Sequence, residues 1–293
     1  MGGMSKKLLV MKLCAIYNVW DDWDLYFRSL EWISPLVDGT ICIGSYKSNF
    51  GEESYIQTIH DLHQDGRDLF FQWEPDLKLD PRTNETAKRN YGLQKARELG
   101  YTHFLMMDSD EFYEPEEFKK ELKRFENPNL MGLVCRVKCY FRSPELTIGY
   151  DTTLVPWVHK ITPNLRFEFN RNYPFAWTLL DKIPHTHTKQ IRIDPTRSMN
   201  INDYVEWSEI TMHHMSWIRS DIKKKIRNST ARQNIERSTI VADYINAKEG
   251  YFCQFYGKNL ERSPNIFGLP EIYDKSLFEP VSPASASDAG RPN

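Results

Sequence analysis

Along the first hundred residues, short apolar runs alternate with stretches in which apolar residues recur every three or four positions. The runs at 8–17, 39–45, 68–73 and 103–107 predict strands, and the intervening stretches at 23–34, 53–63 and 86–99 predict helices. That is the βαβα pattern of an α/β protein with a mostly parallel central sheet covered by helices. Asn84 is the expected N-cap of the third helix and Gly100 its stop. Gly92, Ala96 and Leu99 in that helix fall on one face, which predicts close approach to the sheet.

Further on, Pro115 opens a charged surface helix expected over 115–126. Leu133, Cys135, Val137, Cys139 and Phe141 then alternate with Arg136, Lys138 and Arg142, predicting a half-buried strand. Between 143 and 207 the periodicity is weak and prolines, aromatics and histidines are frequent, so short strands and loops over a site are expected. A basic helix is expected over 220–246. The implied division is an α/β domain at 1–219, a helical extension at 220–280 and a disordered Pro/Ala/Ser-rich tail at 281–293.

Composition narrows this picture. Hydrophobic residues make up 40% of the 293 and aromatics 13%, enough for a packed core. A net charge of −2 supplies no global field for a polyanion, so any contact with nucleic acid has to be local. No apolar run approaches the roughly 20 residues of a membrane span, and no signal-peptide core is visible, which predicts a cytoplasmic protein without a membrane span. The five cysteines show no CxxC spacing and are expected as small buried hydrophobes.

The chemistry concentrates at Asp108-Ser109-Asp110-Glu111. An apolar strand delivers two carboxylates, one residue apart, to its carboxyl end, where open α/β sheets bind ligands. Hard oxygen ligands suit Mg²⁺ or Mn²⁺, and such an ion bridges carboxylates to a diphosphate. Downstream, His213 and His214 sit in a short apolar run. Were an imidazole to join the carboxylates at a metal, the choice would tilt toward Mn²⁺. Seven basic residues between Arg219 and Arg237 stand against Asp221 and Glu236, an excess of +5 that suits phosphates or a polyanionic acceptor.

The Lys88-Arg89-Asn90-x-Gly92 helix followed by a strand ending in D-x-D resembles family-2 glycosyltransferases of the GT-A fold, a likeness covering about residues 11–141. It implies a transferase that moves a sugar from a nucleotide-sugar donor, UDP being the first choice of nucleotide, to a hydroxyl acceptor. Tyr17 and Asn18 would border the nucleobase, Arg89 would reach the nucleotide, and Asp108 and Asp110 would hold ribose, phosphate and metal. His214-Met-Ser-Trp resembles the H-F-S-W segment of some N-acetylglucosaminyltransferases, which implies His214 as third metal ligand, with His213 the alternative. Arg219, beside it, is the expected phosphate contact.

By the same resemblance the general base of an inverting reaction would be Asp181, about 70 residues beyond the motif, where inverting relatives place theirs, although their usual E-D pair is absent here. Asp151, Glu206 and Glu209 compete with it, and a retaining reaction needs no such base. His185, His187, Trp157, Trp177 and Trp207 are candidates for an acceptor platform. The acceptor is a glycan or lipopolysaccharide, a protein side chain, or a hydroxylated nucleic-acid base. Two other functions fit the same fold, an idle carbohydrate- or nucleotide-binding module and a nucleotidyltransferase; the absence of a Gly-rich phosphate loop after the first strand counts against the second.

Overall fold

The computed structural model describes residues 10–21, 23–54, 69–170, 192–201, 205–230 and 239–278. Strands β1 (Leu13–Val19), β2 (Gly39–Gly44), β3 (Leu69–Gln72) and β4 (His103–Asp108) lie parallel in the order β3-β2-β1-β4. On the far side of β4 the sheet becomes mixed. β5 (Glu111–Phe112), β6 (Gly132–Phe141), β7 (Ser143–Lys160) and β9 (Val205–Trp217) continue it as β7-β6-β9-β5, while the short β8 (Arg192–Ile193) pairs with β7 off this path. Antiparallel contacts join β4 to β7, β7 to β6 and β9 to β5.

Alternation along β1 divides the core into two layers. Leu13, Ala15, Tyr17 and Val19 face one side and pack with Tyr26, Leu30 and Ile33 of helix α1 (Trp23–Ile33). Cys14 and Ile16 face the other and pack with Leu93 and Ala96 of helix α2 (Pro81–Glu98). The small face of α2 behaves as its sequence predicts. A Cβ on Gly92 would stand 2.6 Å from Ile16 and 3.1 Å from Ile43, so only glycine lets the helix lie this close to the sheet. The helix begins earlier than expected. Asp80 caps it by accepting from the Thr83 backbone N–H (3.2 Å), and Pro81 follows in the first turn. Asn84 instead ties down the preceding loop, exchanging two hydrogen bonds with the backbone of Asp76.

Leu133, Cys135, Val137, Cys139 and Phe141 all point into the α1-side core, as the alternation predicts. All five cysteines are buried thiols, none of them in a disulfide. Helix α3 (Pro115–Leu122) continues as a 3-10 turn to Glu126. The expected helix at 53–63 falls mainly on residues outside those described.

Two further expectations are corrected. Part of the weakly periodic segment belongs to a long ladder: β7 is 18 residues long and β9 is 13. Register shifts against β6 break the period-2 signal of both strands, which hides them from a pattern search. The basic helix stops after seven residues as α4 (Ile222–Asn228), capped by Asp221, because Ser229 is extended; helix α5 (Ile240–Asn246) follows. Ile222, Ile226, Ile240 and Tyr244 share the α1-side core with β1 and β4.

Candidate active site

The carboxyl end of the parallel strands opens into a cleft of about 760 Å³. Asp108 ends β4, and its neighbour in register on β1 is Asn18, so both side chains fall on the same face of the sheet. Adjacent residues of a strand point opposite ways, and Tyr17 therefore cannot share this position. Its ring is wholly buried edge-on to Tyr26 (5.1 Å), with the hydroxyl hydrogen-bonded to Ser29 at 2.9 Å. Asn18 lines the cleft and Tyr17 belongs to the core.

The same rule separates the two histidines. β5 and β9 pair so that Glu111 stands opposite His214 and Phe112 opposite His213. His213 is buried against Phe267 and hydrogen-bonded through Nδ1 to the Tyr140 hydroxyl at 2.8 Å. Burial, helped by Lys138, lowers its pKa to about 3. His214 lines the cleft, its Nε2 lying 3.6 Å from Asp110. Although burial opposes charge there, Asp110 holds the imidazole well above its usual pKa.

One donor atom each from Asp110, Glu111 and His214 lie within 4.8 Å of one another. Two carboxylates and an imidazole at that spacing fit a divalent ion such as Mn²⁺. Asp108 stands in a different environment, held by Arg89 at 3.3 Å and by Arg197 at 2.8 Å. Burial alone would raise its pKa; the two guanidiniums bring it below the usual carboxylate range.

Arg197 is the residue sequence reasoning missed. Only 2% exposed, it donates to Glu111 through both terminal nitrogens, to Asp108, and to the carbonyl of Met106 (3.3 Å). Glu111 in turn accepts from the Asp108 backbone N–H at 3.2 Å. Burial pushes the Glu111 pKa up to about 7 against the pull of Arg197. Arg197 thus clamps the turn that carries the acidic motif, and no spacing in Asp194-Pro195-Thr196-Arg197 announces it. Lys88 was also unassigned. It lines the cleft, donates to the Val19 carbonyl at 2.8 Å, and is lowered by burial to a pKa of about 8.

The opposite wall is basic. Arg219 pairs with Asp110, Lys225 stands 3.5 Å from the same carboxylate, and Lys224 pairs with Asp21 at the end of β1. Burial would raise the Asp110 pKa, but Lys225 and His214 hold it down at about 2. Glu52 accepts from Arg227 (3.1 Å) and Asn228 (2.7 Å), tying α4 to the loop after β2.

Several expected site residues lie elsewhere. Glu206 pairs with Arg124 and Glu209 with Lys120 (3.0 Å), while Asp151 accepts from the Thr153 backbone N–H, and none of the three lines the cleft. Trp157 is core, packed edge-on against Phe118 at 4.9 Å, and Trp207 is buried under Arg136. Asp181, His185, His187 and Trp177 lie outside the described residues. Among the described residues no helix is long and apolar enough to cross a membrane.

No family model and no curated protein matches this chain. Solved structures do overlap it in part. TarS from S. aureus (residues 1–349) aligns at 14% identity over 80% of this chain and 71% of that one, with a TM-score of 0.40. The same protein in complex with UDP aligns at 15% identity over 44% of this chain, which spans 36% of that structure, with a TM-score of 0.33. GalNAc-T7 with UDP, GalNAc and Mn²⁺ aligns at 12% identity over 44% of this chain and 23% of that one, with a TM-score of 0.34. At this partial overlap the chemistry of the cleft is read from its own residues. What they build is a mixed α/β fold that gathers an acidic motif, an imidazole and a basic helix at the carboxyl end of its parallel strands.

Proposed function

We propose that the protein is a metal-dependent glycosyltransferase, moving a sugar from a nucleotide-sugar donor, UDP-linked by first choice, to a hydroxyl acceptor. One observation carries the reading: carboxylates with an imidazole on one wall of the cleft face arginine and lysine on the other. That pairing suits a ligand that is anionic at its diphosphate and bridged to carboxylates by a cation.

Asp110 and His214 are the ligands assigned to Mn²⁺ or Mg²⁺. Glu111 is nearest as a third, and Asp108, oriented beside it by Arg89 and Arg197, is the further ligand assigned from the acidic motif. The ion, when bound, offsets the negative charge that develops on the departing nucleoside diphosphate. Asn18 and Trp20, at the end of β1, line the part of the cleft assigned to the base. Arg89 keeps Asp108 ionised and oriented, and Arg219 with Lys225 contacts the diphosphate. Arg197 holds the motif's turn rigid, so that the carboxylates need no reorganisation when donor binds. Asp181 remains the assigned base, and Asp181→Asn is expected to keep donor binding while losing transfer. The acceptor is a glycan, a protein side chain or a hydroxylated nucleic-acid base, and a cytoplasmic location goes with the reading.

The test is a thermal-shift panel of UDP-, GDP-, CMP- and dTDP-sugars with and without Mn²⁺. A rise in melting temperature that requires Mn²⁺ and one nucleotide is expected, and it disappears in a folded Asp110→Ala variant. Undiminished Mn²⁺-dependent turnover in that variant would sink the assignment.

A further inference from the structure

The two carboxylates of the acidic motif are held in different ways. Asp108 is held by arginines that are themselves immobilised. Arg89, 1% exposed, is shared with Glu85 at 2.8 Å, and Arg197 is shared with Glu111 and a backbone carbonyl. Asp110 is held from across the cleft. Arg219, just beyond the end of β9, reaches Oδ2, and Lys225 reaches the same oxygen from the last turn of α4, its side chain 29% exposed at the cleft surface. Both cations line the cleft, and both approach the carboxylate on which a divalent ion depends.

Asp110 is already shared by Arg219 and Lys225, so a divalent ion has to compete with them for its oxygens. A divalent ion entering beside Asp110 meets a guanidinium and an ammonium already there, and their repulsion opposes it at short range in a poorly hydrated site. A diphosphate changes the balance. It offers Arg219 and Lys225 a multiply charged oxygen partner in the same cleft, and a guanidinium pairs with phosphate as readily as with carboxylate.

We propose that Arg219 and Lys225 are exchangeable counter-cations of Asp110: they occupy it in the nucleotide-free protein and pass to the donor's diphosphate when nucleotide and metal bind together. The inference rests on the nucleotide-sugar reading above and adds to it a positive coupling between the two ligands. Metal binds weakly alone, nucleotide without metal binds weakly, and each tightens the other by the same factor, as linkage requires. The two residues act as positioning groups for the donor and as gatekeepers for the ion.

The experiment titrates MnCl₂ into the full chain, with free Mn²⁺ followed by electron paramagnetic resonance, in the absence and presence of saturating UDP. Wild type is compared with Arg219→Met and Lys225→Met. Because Arg219 is buried, Lys225→Met is the second route should Arg219→Met fold poorly, and near-ultraviolet circular dichroism checks both. In wild type, UDP is expected to tighten Mn²⁺ at least tenfold. In the variants Mn²⁺ is expected to bind at least about fivefold more tightly without UDP, UDP measured in EDTA to bind more weakly, and the coupling factor to shrink. Mn²⁺ affinity without UDP that is unchanged or weaker in both variants, while wild type still binds Mn²⁺ and UDP together, overturns the exchange and leaves the transferase reading standing. Failure of wild type to bind Mn²⁺ with or without UDP removes both.

Discussion

The two walls of the cleft differ in how firmly the fold holds them. The floor, at the ends of β1 and β4, is built from buried arginines that each serve several partners, so Asp108 and Glu111 are fixed with the core. The far wall, at the end of β9 and in α4, is joined across the cleft by pairs of mixed burial: Arg219–Asp110 is buried, whereas Lys224–Asp21, Lys225–Asp110 and Arg227–Glu52 reach the cleft surface. A buried, multiply bonded ion network resists change because losing one member strands the others; a surface pair is easily exchanged with water or ligand. The floor thus suits orientation of the acidic motif, and the far wall suits exchange with an incoming anion.

Removing the clamp is the most severe way to break that contrast. Arg197→Met leaves Glu111 and Asp108 short of a partner in a buried site and is expected to cost roughly 3–5 kcal/mol of stability, read from urea denaturation. A loss below about 1 kcal/mol would mean that the floor is no firmer than the far wall.

Acid is expected to weaken the protein through its buried histidines. Burial lowers His103 to about 4, His159 to about 3 and His213 to about 3, against an ordinary 6.5. Groups with depressed pKa values bind protons more readily when unfolded, so their contribution is complete above pH 6.5 and is lost as pH falls toward 4. Glu111 acts in the opposite sense. Its raised pKa adds stability below about 4.5 that is lost as pH rises to about 7; Glu117 and His214, also raised, act with it, and the depressed Asp108 and Asp110 act with the histidines. Calorimetric melting between pH 7 and pH 4 should show a falling temperature, and a flat profile would contradict the neutral burial of these rings.

The mildest change sharpens the comparison from the other side. Glu52→Gln loosens the exposed tie between α4 and the loop after β2, and is expected to move stability by no more than about 0.5 kcal/mol. Donor affinity, measured by calorimetry with UDP and Mn²⁺, is expected to change more than stability does, because α4 carries Lys224 and Lys225. Equal insensitivity of both would show that α4 is held by its buried Ile222 and Ile226 alone.

Local signals in the chain were sufficient for the parallel half. The apolar runs of β1, β2 and β4 are short and clearly bounded, and alternation in β6 named its buried face residue by residue. The acidic motif was legible for the same reason, since a strand that ends in carboxylates states its own geometry. The second half was less legible. The bulges that bend β7 and β9 against β6 also scramble their period, and α4 is too short for its composition to mark where it ends.

Within the site, the sequence by itself determined the class of chemistry: hard carboxylates, an imidazole and a basic segment, with the strand that presents Asp108. Tertiary structure decided the partners. Strand parity assigned Asn18 and His214 to the cleft while turning Tyr17 and His213 into the core, and the β5–β9 register brought Glu111 beside His214. The chain fold carried Arg197 onto a motif 86 residues away in sequence. Such choices rest on long-range pairing, where the energy lies between residues whose separation along the chain leaves no local trace, so only the assembled sheet fixes which charges meet.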